Sequence, residues 1–302
     1  MSKNYWIKTA LVAAVLVFTS LFTGCSIKML TIDATGMFME DVVKAFFEED
    51  DLKFAEESAP ANLKLLDGLI RGSNYGNDGL LLKGCKLYGM YAMGFLEDSS
   101  ADKDKNEENL RRASGFYLKA KKYGMKILTK NNDFKNVVEG SPLDFKKMMI
   151  AFGENDAEAL FWTAFAWGEY INLNRHNVAA IADMPKVKAM IDRVKELNPD
   201  YFYGMPHLFL IVYYSLPRMF GGDPEKAKAS YDRVMEISDE KFILAHFFMA
   251  KYYAVQQQDR EFFNELLGKI KGAEDDTIKE TLFTKIAKKK AKILKKREKQ
   301  LF

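Results

Sequence analysis

The side chains of this chain that could do acid–base, nucleophilic or metal chemistry are few and scattered. His176, His207 and His246 lie far apart, the last two inside apolar helical runs, where a histidine is more often a hydrogen-bonded core residue than a ligand. Adjacent acids such as Glu56-Glu57 fall on polar helical faces. Phosphate-loop, nucleophile-elbow, dinucleotide and zinc-peptidase patterns are all absent, as is any C-x-x-C pair. The reading is of a protein that is not an enzyme and uses no cofactor and no metal. Cys85, among Leu80, Leu81, Leu82, Leu87 and Tyr88, reads as a small core residue.

Non-covalent binding is better provided for. Between Trp162 and Phe220 the chain is dense in Trp, Tyr and Phe, with Arg218 among them. Most of these rings must fill the core. A buried Trp or Tyr also needs a partner for its polar atom, so this many amphipathic rings suit a groove for a partly apolar ligand. Trp167, Tyr170, Tyr203 and Tyr213 are the candidates to line it, and Arg218 is the candidate partner of a ligand carboxylate.

Covalent chemistry is expected at one place, the N-terminus. Lys3 and Lys8 precede an uncharged run from Thr9 to Phe22, too short for a comfortable membrane span and suited to the apolar region of a signal peptide. Leu21-Phe22-Thr23-Gly24-Cys25 then resembles the bacterial lipobox, with Phe22 where leucine is usual. Cleavage before Cys25 and its lipidation would supply more than one buried acyl chain, enough for stable anchoring. The expected organisation is a signal peptide over 1–24, a lipidated linker over 25–35 and one helical domain over 36–302. An uncleaved anchor, or a secreted protein with a stray cysteine, is the other reading.

The elements that must position these residues are helices. Ala157, Leu160, Phe161, Ala164, Phe165, Gly168 and Ile171 form one apolar stripe at spacings of three and four. After the break Asn172 to Asn177, Pro185 opens a second helix that stops at Asn198-Pro199-Asp200. The pattern then repeats: Tyr201 to Tyr214 is helical in period, Gly221-Gly222 turns the chain, and Asp223-Pro224-Glu225 starts the next helix. Ala227, Tyr231 and Val234 there follow the spacing of a tetratricopeptide second helix. Upstream, helices are expected over Gly36 to Phe47, from Leu52, over Asn62 to Arg71 after Pro60, over Leu80 to Leu96, and over Glu107 to Thr129. Gly84, Gly89 and Gly94 predict close helix approach. No stretch alternates long enough to demand a sheet, so the fold class is all-α: stacked antiparallel helix pairs in a degenerate tetratricopeptide-like solenoid.

Composition agrees and sets limits. Of 302 residues 48% are hydrophobic, ample for a core. Removing residues 1–24 takes away Lys3 and Lys8 and no acid, so 45 basic residues become 43 against 42 acidic ones, a poor balance for a general nucleic-acid binder. The positive charge collects at the end, with nine Lys or Arg and one Glu from Lys285 to Phe302. That segment reads either as a solvated helix whose Ile278, Leu282, Ile286 and Ile293 pack on the last repeat, or as a contact for anionic lipid or an acidic partner.

The chain resembles the T-component lipoproteins of tripartite ATP-independent periplasmic (TRAP) transporters. The likeness rests on Asn62-Leu63, on Ala159 to Trp162 with Ala164, Trp167 and Gly168, and on Pro185. It continues through Glu196 to Tyr201, Gly204, Tyr213, Pro217 and Gly221 to Ala227. Asn77 matches a family asparagine, with Tyr75 where the family's proline would stand. The resemblance implies degenerate tetratricopeptide pairs, a lipid anchor on a bacterial membrane facing the periplasm, a cleft or channel, self-association, and a partner in the transporter's solute-binding subunit. The expected role is that of an accessory subunit that also takes a small, partly apolar organic acid. The alternative is a helical-repeat scaffold lipoprotein of an envelope complex with no small-molecule ligand.

Overall fold

The computed structural model describes residues 27–302, with side chains from Thr35 onward except Met37. The expected signal peptide over 1–24 and the expected lipidation site Cys25 lie outside the described residues. The fold is all-α, without a strand among the described residues. In chain order the helices are α1 (Ile27–Phe47), α2 (Leu52–Gly72), α3 (Asp78–Tyr91), α4 (Lys103–Leu128), α5 (Asn132–Val137), α6 (Pro142–Met148), α7 (Ala157–Leu173) and α8 (Val178–Ala182). They continue with α9 (Met184–Leu197), α10 (Tyr201–Tyr214), α11 (Pro224–Ile237), α12 (Leu244–Phe248), α13 (Arg260–Gly272), α14 (Thr281–Lys296) and α15 (Glu298–Leu301).

Local sequence accounts for most of the boundaries. Asn77 Oδ1 accepts from Leu80 N at 2.9 Å, Asp102 Oδ1 from Lys105 N at 2.9 Å, and Asp223 Oδ1 from Lys226 N at 3.2 Å, each satisfying an orphan donor of a first turn. Ser141 caps α6 ahead of Pro142. Helix α4 starts at Lys103 rather than Glu107, the short α5 and α8 are not among the expected helices, and three further departures have a clear physical setting. The first helix is already formed at Ile27, the first described residue, and not only from Gly36, because nothing between 27 and 35 breaks it. Pro60 sits inside α2 instead of opening a new helix; Ala59 and Leu63 beside it are buried, and that packing carries the helix past the missing N–H. At the start of α10, Phe202, Tyr203 and Gly204 all have positive φ (44°, 57° and 80°), so the regular helix starts only after them.

The long helices pack in turn, α3 on α4, α4 on α7, α7 on α9 and α10 on α11, with the short α5, α6 and α8 in the connections. At the α2–α3–α4 crossing a Cβ on Gly84 would come within 2.7 Å of Ile70 and 2.8 Å of Tyr123, so only glycine lets the three helices meet. The array closes on itself, unlike an open solenoid. Helix α14 packs on α12 and α13 and also on α1 and α2. Phe283 stacks on Phe47 at 5.2 Å, and Lys289 pairs with Glu56 at 2.6 Å. The tail lysines are therefore largely engaged: Lys288 with Asp275 at 2.6 Å, Lys285 with Asp50 and Asp275 at 3.7 Å, and Lys290 inside the protein. Of the two readings of the basic segment, the geometry matches packing on the last repeat, extended to the first two helices.

Candidate functional site

Two features stand out against this core: a largely apolar cleft at one end of α7, and a buried cluster of charges. The cleft has a volume of about 380 Å³, within the ordinary range for small-ligand sites. Its walls are Ile171 at the end of α7, Ile181 of α8, Met184 and Pro185 at the start of α9, Tyr213 at the end of α10 and Leu216 just past it. Met219, Phe220 and Gly221 complete it, and Arg175 is the single charged residue of the lining. The backbone around it follows from the sequence. Asn177 Oδ1 accepts from Ala179 N at 3.0 Å and starts α8 two residues past Arg175. After Pro217 the chain turns at Gly221, whose φ is +91°, and at Gly222, where a Cβ would lie 1.5 Å from Leu216 O. Asp223 N then donates to Tyr214 O at 2.8 Å and closes the turn. Arg175 is exposed at the mouth, and one of its Nη groups donates to Asn172 Oδ1.

The charge cluster is assembled from five helices. Glu97 and Asp98 follow a π-helical turn, Ala92–Leu96, that extends α3; Lys251 and Tyr252 lie in a second one, Met249–Ala254, that extends α12. π-helical turns are rare and concentrate where side chains must be re-aimed. Lys251 Nζ lies 2.6 Å from Asp98 and 3.5 Å from Glu97. Tyr117 of α4 donates to Glu97, Lys290 of α14 donates to the Glu97 carbonyl, and Arg297 reaches Asp98 at 3.3 Å. Burial opposes ionisation of Asp98, but Lys251, Lys290 and Arg297 outweigh it and hold its pKa down to about 2. Burial instead dominates at Lys290, whose ammonium is depressed to about 8 despite Asp98 and Glu97.

Glu169 of α7 is 2% exposed at the edge of this cluster. Burial, with the negative charge of Glu97, pushes its carboxyl up to about 8 against the opposing pull of Lys251, Asn172 and Arg175. Asn172 Nδ2 bridges it to the neighbouring ring, donating to Glu169 Oε2 at 3.1 Å and to Tyr252 Oη at 2.9 Å.

Of the five binding candidates read from the sequence, the cleft takes Tyr213. Trp167 is 3% exposed in the core, edge-on to Phe145 at 6.2 Å with Lys121 Nζ 3.8 Å over its ring. Tyr170 is half-buried, and its carbonyl accepts from Asn174 Nδ2 at 2.7 Å. Tyr203 belongs to the left-handed turn at the start of α10, where it stacks on Phe242 and donates to Glu280 at 2.8 Å, tying that turn to the entry of α14. Arg218 is exposed on the 3₁₀ turn whose next two residues line the cleft, but its own side chain is outside the lining. Sequence reasoning missed Arg175, Glu169 and Lys251. Arg175 carried a weak signal, a lone cation in the polar break that ends the aromatic helix.

A second concavity, of about 980 Å³, lies between α11, α12 and α13 and is walled by Asp232, Glu236, Asp239 and Glu240. His246 faces it with Nδ1 2.7 Å from Tyr231 Oη, and burial lowers the pKa of its ring to about 4. Lys269 is the single lysine or arginine beside those four acids, so this concavity is predominantly acidic and favours an anion less than the first cleft does. Cys85 is fully buried, and burial pushes its thiol up to about 12. No group of three or more metal-ligating side chains occurs among the described residues, and among them no helix is long and apolar enough to cross a membrane.

The family model described as "TRAP transporter T-component" matches residues 48–302, almost the whole described chain. The chain belongs to the TRAP transporter T-component family. This T component is also similar to an uncharacterized protein of Treponema pallidum (strain Nichols), 24% identical over 298 residues that cover 91% of this chain and 92% of that one. Membership gives it an accessory role in a TRAP transport system.

Proposed function

We propose that this T component is a periplasm-facing lipoprotein anchored through Cys25, self-associating, that binds the solute-binding subunit of its transporter. In this reading the cleft between α7 and α10 receives a small, partly apolar organic acid. Movement of the acid would draw on an ion gradient at the membrane subunits. The observation that carries the ligand reading is the make-up of the cleft: apolar walls, one aromatic phenol from Tyr213, and one guanidinium, from Arg175, at the mouth. A guanidinium pairs with a carboxylate through parallel hydrogen bonds, while the walls take the hydrocarbon. Arg175 thus assumes the carboxylate-pairing role that the sequence assigned to Arg218. A scaffold without a ligand gains nothing from this arrangement.

Calorimetric titration with octanoate tests it. Arg175→Ala is expected to weaken octanoate binding by roughly tenfold or more, the worth of a hydrogen bond to a charged group. Arg218→Ala is expected to change it by no more than about twofold, because its side chain lies outside the cleft lining and a surface charge at a distance contributes little. Equal affinity of wild type and Arg175→Ala, with both folded by circular dichroism, would remove Arg175 from the site.

A further inference from the structure

The cleft and the buried charge cluster are joined by hydrogen bonds. Arg175 in the cleft lining donates to Asn172 Oδ1, and the other end of the same amide donates to Glu169 at 3.1 Å and to Tyr252 at 2.9 Å. Asn172 is therefore one residue wide between the cation at the cleft mouth and a carboxyl inside the protein.

The surroundings of Glu169 make that carboxyl responsive. One side faces a small space walled by Phe161, Phe165, Met205, Leu208, Phe209 and Phe248, which offers nothing to an anion. Helix α9 meets this part of α7 through Val187. On the other side stand Glu97 and Asp98 beyond the π turn of α3, Tyr117 of α4, Lys251 and Tyr252 of α12's π turn, and Lys290 of α14. Lys251 is held by Asp98 and Glu97, and Lys290 by the Glu97 carbonyl, so the cluster's fixed cations are already committed. Arg175 is the cation acting on Glu169 that a ligand can reach.

The geometry points to proton-linked binding: an organic acid seated on Arg175 neutralises the cation that favours ionised Glu169, and Glu169 takes up a proton as the acid binds. The inference rests on the cleft being a carboxylate site. By linkage the effect is reciprocal, so protonated Glu169 strengthens binding and its ionisation weakens it. A ligand would be held in neutral or acidic surroundings and released as they turn alkaline.

The test is calorimetry of octanoate binding to the detergent-solubilised full chain at pH 7, 8 and 9, each in two buffers of different ionisation enthalpy. Octanoate, an ordinary carboxylate, keeps its charge throughout this range. Lys290, whose ammonium is depressed to about 8, also titrates in it, and Glu169→Gln, which retains Lys290 on the Glu97 carbonyl, separates the two groups. Wild type is expected to take up a fraction of a proton per octanoate at pH 8 and to bind roughly fivefold more weakly at pH 9 than at pH 7, the lower end of ordinary coupling between sites. Glu169→Gln is expected to bind with one affinity across the range and to exchange no protons. Wild-type binding that is independent of pH and of buffer would overturn the proton link and leave the cleft reading standing. The same pH dependence in Glu169→Gln as in wild type would overturn the assignment to Glu169. Absence of octanoate binding at every pH would overturn both.

Discussion

Lys251→Met is expected to destabilise the protein by about 3–5 kcal/mol, the usual result of removing one partner from a buried ion pair. The replacement fills much of the same volume, so the loss is electrostatic. Asp98 and Glu97 are 6% and 4% exposed and would remain without the ammonium that lies 2.6 and 3.5 Å from them. Lys290 and Arg297 are still present but are directed to the Glu97 carbonyl and to the far side of Asp98. The pH dependence should change with it. The pKa of Asp98 is held down to about 2 from an ordinary value near 3.8, so it contributes stability that is present above the ordinary value and lost as pH falls through the lowered one. Urea unfolding between pH 5 and pH 2 should show that acid-side loss in wild type and a much smaller one in Lys251→Met. A variant as stable as wild type at pH 7 would mean that the cluster is not held by Lys251.

Glu169→Gln should have the opposite sign. The folded protein raises the Glu169 carboxyl from an ordinary value near 4.5 to about 8, so between those values the native state binds a proton that the unfolded chain releases. Stability therefore falls as pH rises through that window, by up to about 1.4 kcal/mol per pH unit from this one group. Glutamine has the shape of the protonated acid and can still accept from Asn172, so the variant keeps the contact and loses the penalty. It is expected to be more stable than wild type by on the order of 2–3 kcal/mol at pH 7, with no difference near pH 4. Urea denaturation at pH 4, 6, 7 and 8.5 checks this. A difference that does not grow with pH would mean that Glu169 is ionised in the folded protein.

These two residues also show what the sequence conceals. The capping residues Asn77, Asp102, Ser141 and Asp223 act within three positions of themselves, and the helices they start are legible from spacing, although the start at Asp102 comes four residues ahead of the expected one. The aromatic stripe of α7 is legible for the same reason. The charge cluster is not, because Lys251 meets Asp98 across 153 positions and Lys290 meets Glu97 across 193. Each of those residues, taken locally, looks like an ordinary polar position on a helix. The π turns that aim them leave no periodic signature, since one extra residue in a helix changes no composition. Pro60 misled in the other direction: its local preference for a helix start yields to the burial of Ala59 and Leu63 on either side. Among the binding candidates, residue type pointed to aromatic rings but could not separate Tyr213, which faces the cleft, from Trp167, which fills the core. Nor could it choose between Arg175 and Arg218, both in short polar breaks that end aromatic helices.

The proposed work of this T component is to hold the solute-binding subunit of a TRAP transporter. The most direct measurement is a pull-down from detergent-solubilised envelope, with the protein captured through a C-terminal tag. Recovery of the solute-binding subunit in stoichiometric amount is the expected result. Recovery of outer-membrane assembly components alone, with no solute-binding subunit, would contradict the claim and identify the protein as a scaffold.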